Sequence, residues 1–186
     1  MQLSWSQKFF LYLNRRLGEN SARDRFFYLC GFWLPWVLAL SAAFLLGDLI
    51  LYQSDLQKRV MLTVFISFFL SYLVSYGLAL IFPHPRPVVE LSKVKTLFST
   101  LGTWKSFPSD HTIGVILIAL IVSFFLRNPT ISVVFFLLAL LVGFSRVYSG
   151  VHYPRDILGG IVVAVTCFLF TIWILWDMMV YQTFFI

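Results

Sequence analysis

The chain has 186 residues, 60% of them hydrophobic, 19% aromatic and only 12% charged. That balance excludes an ordinary soluble domain and indicates an integral membrane protein, all-α, built as a polytopic transmembrane helix bundle. The net charge of +6 is spread over helix ends and one polar stretch, with no separate basic module. Nucleic acid is thereby disfavoured as a partner, and anionic lipid or phosphate favoured.

Read in chain order, Trp5, Phe9, Leu13 and Leu17 recur every four residues with Phe10 alongside. This spacing predicts an amphipathic helix too short to span, lying in the membrane interface and connecting through about residue 25. A removed signal peptide is not expected, because no compact apolar core followed by small residues opens the chain. A first span is expected from Phe26 to about Leu51, kinked at Pro35, and a second from Val60 to Phe82. Between them Ser54 to Arg59 reads as a polar linker. Ser67, Ser71 and Ser75 repeat at four-residue spacing, a close-packing face between helices. Three prolines in five residues end the second span, and Pro83 to Pro108 forms the one long loop. Thr112 to Leu126 and Thr130 to Phe144 read as a hairpin of short spans, and Ile157 to Trp176 as a fifth. Cys30 and Cys167 fall within apolar runs and read as buried small hydrophobes. One domain over 1–186 is expected.

Counting crossings brings together residues far apart in the chain. The end of span two, the start of three, the end of four and the start of five must share one membrane side. The polar clusters occur at those places: Arg86; Ser109, Asp110 and His111; Ser145 and Arg146; His152 and Asp156. Ionisable groups beside lipid are costly unless paired or solvated, so their convergence marks a functional site.

Arginine forks match phosphate oxygens bidentately, and the N-terminus of a helix opening at Ser109 adds backbone donors. His152 and Asp156, four apart, share a face if the last helix includes both. The carboxylate would then hold one ring nitrogen and leave the other free to attack phosphorus, with His111 as acid and base. Zinc on His84, His111, His152 and Asp156 is the competing chemistry. It has no HExxH or paired-cysteine spacing behind it, and two arginines would sit beside a dication, so neither metal nor cofactor is expected. A structural ion-pair network at the bundle rim is the bland alternative.

Three segments carry a family resemblance: ALIFPHPRP (Ala79 to Pro87), PSDH (Pro108 to His111) and SRVYSGVHYPRD (Ser145 to Asp156). They resemble the KxxxxxxRP, PSGH and SRxxxxxHxxxD motifs of the type 2 phosphatidic acid phosphatase superfamily over about residues 60–180. The resemblance implies His152 as nucleophile, Asp156 as its partner and His111 as general acid and base. It also implies phosphate binding by Arg86, Ser109 and Arg146, and catalysis without metal. Two positions depart from the pattern. Ala79 stands where the first motif has lysine, leaving Lys93, Lys95 or Lys105 to supply that contact. Asp110 replaces the second motif's glycine, and it is counted with the substrate-binding residues. FPSDHT followed by GFSRVYSGVHYPRDILGG is similar to the branch of bacitracin-resistance type undecaprenyl pyrophosphate phosphatases.

The activity so implied is removal of a phosphate from a lipid diphosphate through a phosphohistidine. Phosphatidylglycerophosphate, phosphatidate and lipid A are the other lipid substrates, and a non-catalytic lipid-binding or translocating protein is the alternative of another class. A headgroup is expected to enter sideways from the bilayer, at the rim of spans three and four. Lys8, Arg15, Arg16, Arg23 and Arg25 lie on the site's side, so charge alone favours a cytoplasmic site. The resemblance implies the opposite, a site on the outer face of a bacterial inner membrane, and that expectation is adopted.

Overall fold

The computed structural model describes residues 3–52, 54–99 and 104–184. Among them are eight helices and no strand: α1 (Trp5–Asn14), α2 (Ser21–Phe32), α3 (Leu34–Tyr52), α4 (Ser54–Ile81), α5 (Pro87–Glu90), α6 (Asp110–Leu126), α7 (Pro129–Tyr148) and α8 (Pro154–Phe184). Three of them, over Asp55–Ile81, Pro129–Tyr148 and Pro154–Leu175, are long and apolar enough to cross a membrane, and α2 with α3 forms a fourth such unit bent by 45°. α6 has 17 residues, about 26 Å of helix, slightly short of the hydrocarbon thickness. The chain is a multi-pass membrane protein with an all-helical bundle.

α6 is the axis of the bundle, in contact with α3, α4, α7 and α8. Its Ile113, Ile116, Leu117, Ala119 and Val122 are buried, as befits a helix apolar on every side. The outward faces of the neighbouring helices carry the large side chains instead, with Phe44, Leu40, Phe65, Leu80 and Trp173 among the most exposed. Small residues line the helix contacts. Thr63, Ser67, Ser71 and Ser75 on α4 are all 0% exposed, as their spacing anticipates. A Cβ on Gly143 would come within 2.8 Å of Ile157, so that glycine is what lets α7 and α8 meet closely.

Several boundaries differ from the expectation, each for a local reason. Ser54 to Arg59 is the opening of α4 and no separate linker: charged residues extend a helix readily where water can reach them. α7 runs four residues past Phe144, so Ser145 and Arg146 belong to its last turns. The hairpin between α6 and α7 is tight. Arg127 takes a left-handed φ of 50°, and the Asn128 side chain accepts from the Ile131 N–H at 3.1 Å. Pro129 opens α7, where the missing N–H is not needed.

α1 is capped by Ser4 and Gln7 in a reciprocal box. Its expected apolar stripe splits in two. Phe10, Leu13 and Leu17 are buried, whereas Trp5 and Phe9 are exposed with Tyr12. The helix is therefore docked on the bundle: Phe10 meets Tyr153 edge-on with ring centroids 5.2 Å apart. Asn14 brackets Lys95, donating to its carbonyl at 2.8 Å and accepting from its N–H at 3.1 Å. Gly150, at φ 83°, lets the chain pass under this bracket, since a Cβ there would lie 2.1 Å from the Lys95 carbonyl oxygen.

Candidate active site

The described parts of the loop between α4 and α6, residues 83–99 and 104–108, close over one end of the bundle, and the entrances of α6 and α8 and the exit of α7 face them. Together they enclose a cavity of about 240 Å³ lined by Phe32, Arg86, Phe98, Ser99, Lys105, Pro108, Asp110, His111, Arg146 and His152. Five of the seven residues singled out from sequence lie on this wall: Arg86, Asp110, His111, Arg146 and His152. Asp156 stands directly behind His152.

His152 lies two residues before α8 begins, so it does not share a helix with Asp156; the turn into the helix brings them together. Asp156 Oδ2 is 3.4 Å from His152 Nδ1. The same oxygen accepts from the Tyr153 N–H at 2.8 Å, and from the Ser106 hydroxyl at 2.5 Å. A carboxylate in the first turn that reaches back to the N–H before the helix is half of a capping box, and the helix dipole favours its charge. Pro154 at the first position fits the same turn. Asp156 is thus fixed by backbone and hydroxyl donors and fully buried.

The other ring nitrogen of His152, Nε2, faces Arg86 Nη1 at 3.5 Å. A guanidinium only donates, which assigns the lone pair to Nε2 and the proton to Nδ1, on the Asp156 side. Burial lowers the imidazole from its ordinary 6.5 to about 4, and the charges of Arg146 and Arg86 act in the same direction against the upward pull of Asp156. The ring is neutral at physiological pH.

Arg146 is 4% exposed. Its Nη1 donates to the Gly31 carbonyl at 3.2 Å, and its guanidinium lies over the Phe98 ring at 4.8 Å. The sequence explains why that carbonyl is free. Residue 35, one helical turn on, is proline, with no N–H to offer the carbonyl of Gly31. The kink expected at Pro35 is found at Trp33, and it gives Arg146 an acceptor. Arg86 donates to the Val151 carbonyl at 3.3 Å. The Nε atoms of both arginines are buried without a protein partner, an arrangement suited to an incoming anion.

Ser109 stands apart from these residues. It is 0% exposed and off the cavity wall: its N–H donates to the Asp156 carbonyl at 3.0 Å and its hydroxyl accepts from Thr112 at 3.1 Å. It ties the start of α6 to α8, while the N–H groups of α6's first turn remain without helical acceptors. His84 is held in the loop, with Nδ1 2.8 Å from the Phe82 carbonyl oxygen. Ala79 is buried on α4. Of the three lysines that could stand in for the missing one, Lys95 donates to the Leu17 carbonyl at 2.8 Å and Lys93 is exposed. Lys105 reaches the cavity. It donates to Asp110 and, at 2.9 Å, to Ser75 Oγ. Burial lowers its ammonium below the ordinary value, opposed by Asp110 and reinforced by the charge of Arg86.

Four contributors had no sequence signature: Ser75, Ser106, Phe98 and the Gly31 carbonyl. Each acts through a contact distant in the chain. Only the proline four residues past Gly31 carried a clue.

Three basic side chains, Arg86, Lys105 and Arg146, thus face one cavity with Asp110, while Asp156 stands behind His152, and the result is an anion-binding site at the end of a membrane helix bundle. The chain belongs to the PAP2 superfamily, which matches residues 60–179. It is 41% identical over 92 residues to undecaprenyl-diphosphatase BcrC of Bacillus subtilis (strain 168), covering 50% of this chain and 46% of that protein. It is 32% identical over 139 residues to the putative undecaprenyl-diphosphatase YbjG of Escherichia coli (strain K12), covering 68% of each. The chain therefore spans less than half of the Bacillus relative. The crystal structure of Aquifex aeolicus LpxE has the same fold, with a TM-score of 0.73 at 24% identity over 92% of this chain and 96% of that one.

Replacing Pro35 with alanine restores an N–H that competes for the Gly31 carbonyl. Inorganic vanadate is then expected to bind roughly tenfold more weakly, the worth of one charged hydrogen bond, with the melting temperature unchanged or raised. Titration calorimetry alongside a thermal melt checks this, and a fall in both would reduce Pro35 to a packing role.

Proposed function

We propose that the protein is a lipid phosphatase that takes polyprenyl diphosphate, most specifically undecaprenyl diphosphate, to the monophosphate. The observation that carries this reading is His152, neutral and backed by Asp156, with Nε2 facing Arg86 in a cavity that Arg146 also lines, both arginines keeping a free buried Nε donor.

In the proposed reaction Nε2 of His152 attacks the terminal phosphorus as the bond to the bridging oxygen breaks, and the electron pair leaves with the lipid monophosphate. Arg86 and Arg146 neutralise charge on the transferring phosphoryl oxygens, the largest expected contribution to the rate. Asp156 stabilises the imidazolium formed and holds its orientation. His111, at the mouth of the cavity, takes the proton from the water that hydrolyses the phosphohistidine. The three cations supply the positive charge that a metal would otherwise bring.

A second cavity supports a lipid substrate. It is about 250 Å³, mostly apolar, and lined by Pro35, Trp36, Ala39, Tyr72, Gly114 and Ile118, with Asp110 and His111 shared with the cation-lined one. A headgroup among the cations thus has room for the first few carbons of its tail between α3, α4 and α6, on a different side from the rim of spans three and four expected from sequence. Gly114 keeps this space open, because a Cβ there would already touch the Tyr72 hydroxyl at 3.4 Å.

Purified protein is expected to release phosphate faster from undecaprenyl diphosphate than from phosphatidylglycerophosphate, phosphatidate or lipid A, and His152→Ala to abolish release. Faster turnover of another member of that panel overturns the substrate assignment; binding without turnover supports the non-catalytic alternative. The acid limb of kcat/KM is expected near pH 4, well below 6.5, because a lowered His152 stays unprotonated until the pH falls that far. In Asp156→Asn the upward pull on His152 is lost, so the limb moves to still lower pH while kcat falls. A limb at or above 6.5 in the unmodified protein contradicts a buried nucleophile.

We propose further that the protein lies in a bacterial inner membrane with the site outward. Part of the charge favouring the cytoplasm is used within the protein: Arg23 donates to the Tyr148 hydroxyl at 2.9 Å and pairs with Glu19 at 3.4 Å. Cys30 and Cys167 are buried, so Lys93→Cys adds a single accessible thiol in the loop. An impermeant maleimide is expected to label it in intact spheroplasts; protection until lysis places the site inside.

A further inference from the structure

Lys105 lies outside the family motifs, offered by the sequence only as one of three substitutes for the lysine missing at Ala79, yet it is among the most enclosed charges at the site. It is 8% exposed, its ammonium lies 4.5 Å from the centre of the Tyr76 ring, and it donates to Ser75 on α4 and to Asp110 at the start of α6. Burying an ammonium is costly, and its one carboxylate partner, Asp110, is itself partly exposed to water. Nor is the position neutral for its neighbours, since Arg86 faces the same cavity. An arrangement that gathers cations against their mutual repulsion is stabilised by an anion between them.

The position of Lys105 is as informative as its charge. Asp110, its partner, belongs to both cavities: the cation-lined one with Arg86, Arg146 and His152, and the apolar one between α3, α4 and α6. Any molecule with its head at His152 and its tail between α3 and α4 passes Asp110, and therefore Lys105. The cation-lined cavity, at 240 Å³, has room for roughly eight water-sized groups, more than the five heavy atoms of one phosphate and close to the nine of a diphosphate.

We infer that Lys105, held ready by Ser75 and Asp110, binds the inner, lipid-linked phosphate of a diphosphate while Arg86 and Arg146 bind the outer one. This rests on the phosphatase reading above and adds the recognition of the leaving group. When the bond from the outer phosphorus to the bridging oxygen breaks, its electron pair stays with the inner phosphate, and the new negative charge develops beside the Lys105 ammonium. Asp110 yields the ammonium to the phosphate oxygens and turns to water. Specificity for diphosphates over monophosphates follows, because a monophosphate held at His152 has no group at Lys105.

The test uses the full chain in detergent, with inorganic pyrophosphate and orthophosphate as competitive inhibitors of whichever lipid phosphate it hydrolyses. Lys105→Met is expected to weaken pyrophosphate about tenfold or more and orthophosphate less than threefold. Lys105→Gln, which keeps donors for Ser75 and Asp110 without the charge, is expected to do the same, and Lys105→Arg to retain the preference. Equal weakening of both anions, or of neither, overturns the inference. So does recovery of the pyrophosphate preference in Lys105→Met with Asp110→Asn, which would make Lys105 only a shield for Asp110. Turnover of farnesyl diphosphate with free pyrophosphate acting only as an inhibitor identifies the anion as lipid-borne; turnover of pyrophosphate itself refutes that part. The inhibitor ratio is independent of which lipid is fastest, so failure of the substrate assignment and failure of this inference are read separately.

Discussion

Holding a guanidinium almost out of water, without a carboxylate to neutralise it, is the constraint on which the site depends. Among the described residues Arg146 has no acidic partner within salt-bridge distance; a carbonyl and an aromatic face are what it has. An isolated buried charge costs several kcal/mol, and the surrounding structure is arranged to bear that cost. The break between α2 and α3 supplies the carbonyl. The loop over the site supplies Phe98, and α1 fastens that loop. A doubly charged phosphate then finds donors already desolvated and aimed, so little reorganisation is needed when it binds.

Asp156 organises the other half. Its carboxylate holds Ser106, the Tyr153 backbone and His152, while its carbonyl holds the Ser109 N–H. Ser106 in turn donates its backbone N–H to the His84 carbonyl at 2.8 Å. Three sequence segments that each carry conspicuous polar residues are thereby linked through backbone hydrogen bonds next to the reacting group. A carboxylate with so many fixed donors keeps its charge, 3.4 Å from the ring nitrogen of the histidine it faces.

Much of this was legible in the amino-acid sequence, for identifiable reasons. Apolar runs of bilayer length announce spans, and counting crossings sets Arg86, His111, Arg146 and His152 at one end, because only integers are needed for that step. The four-residue serine spacing correctly indicates close helix contact, but not that Ser75 also reaches Lys105. Where charged residues border a span, as at Ser54 to Arg59 or Ser145 and Arg146, helix continues through them, since the backbone has no reason to stop where the side chains turn polar. The supporting contacts at the site were invisible, because Ser106 to Asp156 or Gly31 to Arg146 obeys no period. Ser109 shows another side of the same limit: the short motif marks it as a ligand but gives no sign that its N–H also fastens two helices.

The bracket between Asn14 and Lys95 bears on the order in which the protein matures. The partners are 81 residues apart, and the Ser6 hydroxyl accepts from the Arg155 N–H across 149 residues, at 3.2 Å. α1 leaves the ribosome well before its partners, which are Glu90 and Lys95 in the loop, α7 and the beginning of α8, and its docking is complete only when the last of them has been made and inserted. Its docking is therefore a late event of biogenesis, gated by long-range closure more than by helix formation. Until then the loop carrying Arg86 and Lys105 is unfastened, and the cations that would attract phospholipid headgroups are not yet gathered. A segment made before the loop it fastens thus serves as the latch on a site that becomes competent only once the bundle beneath it is complete.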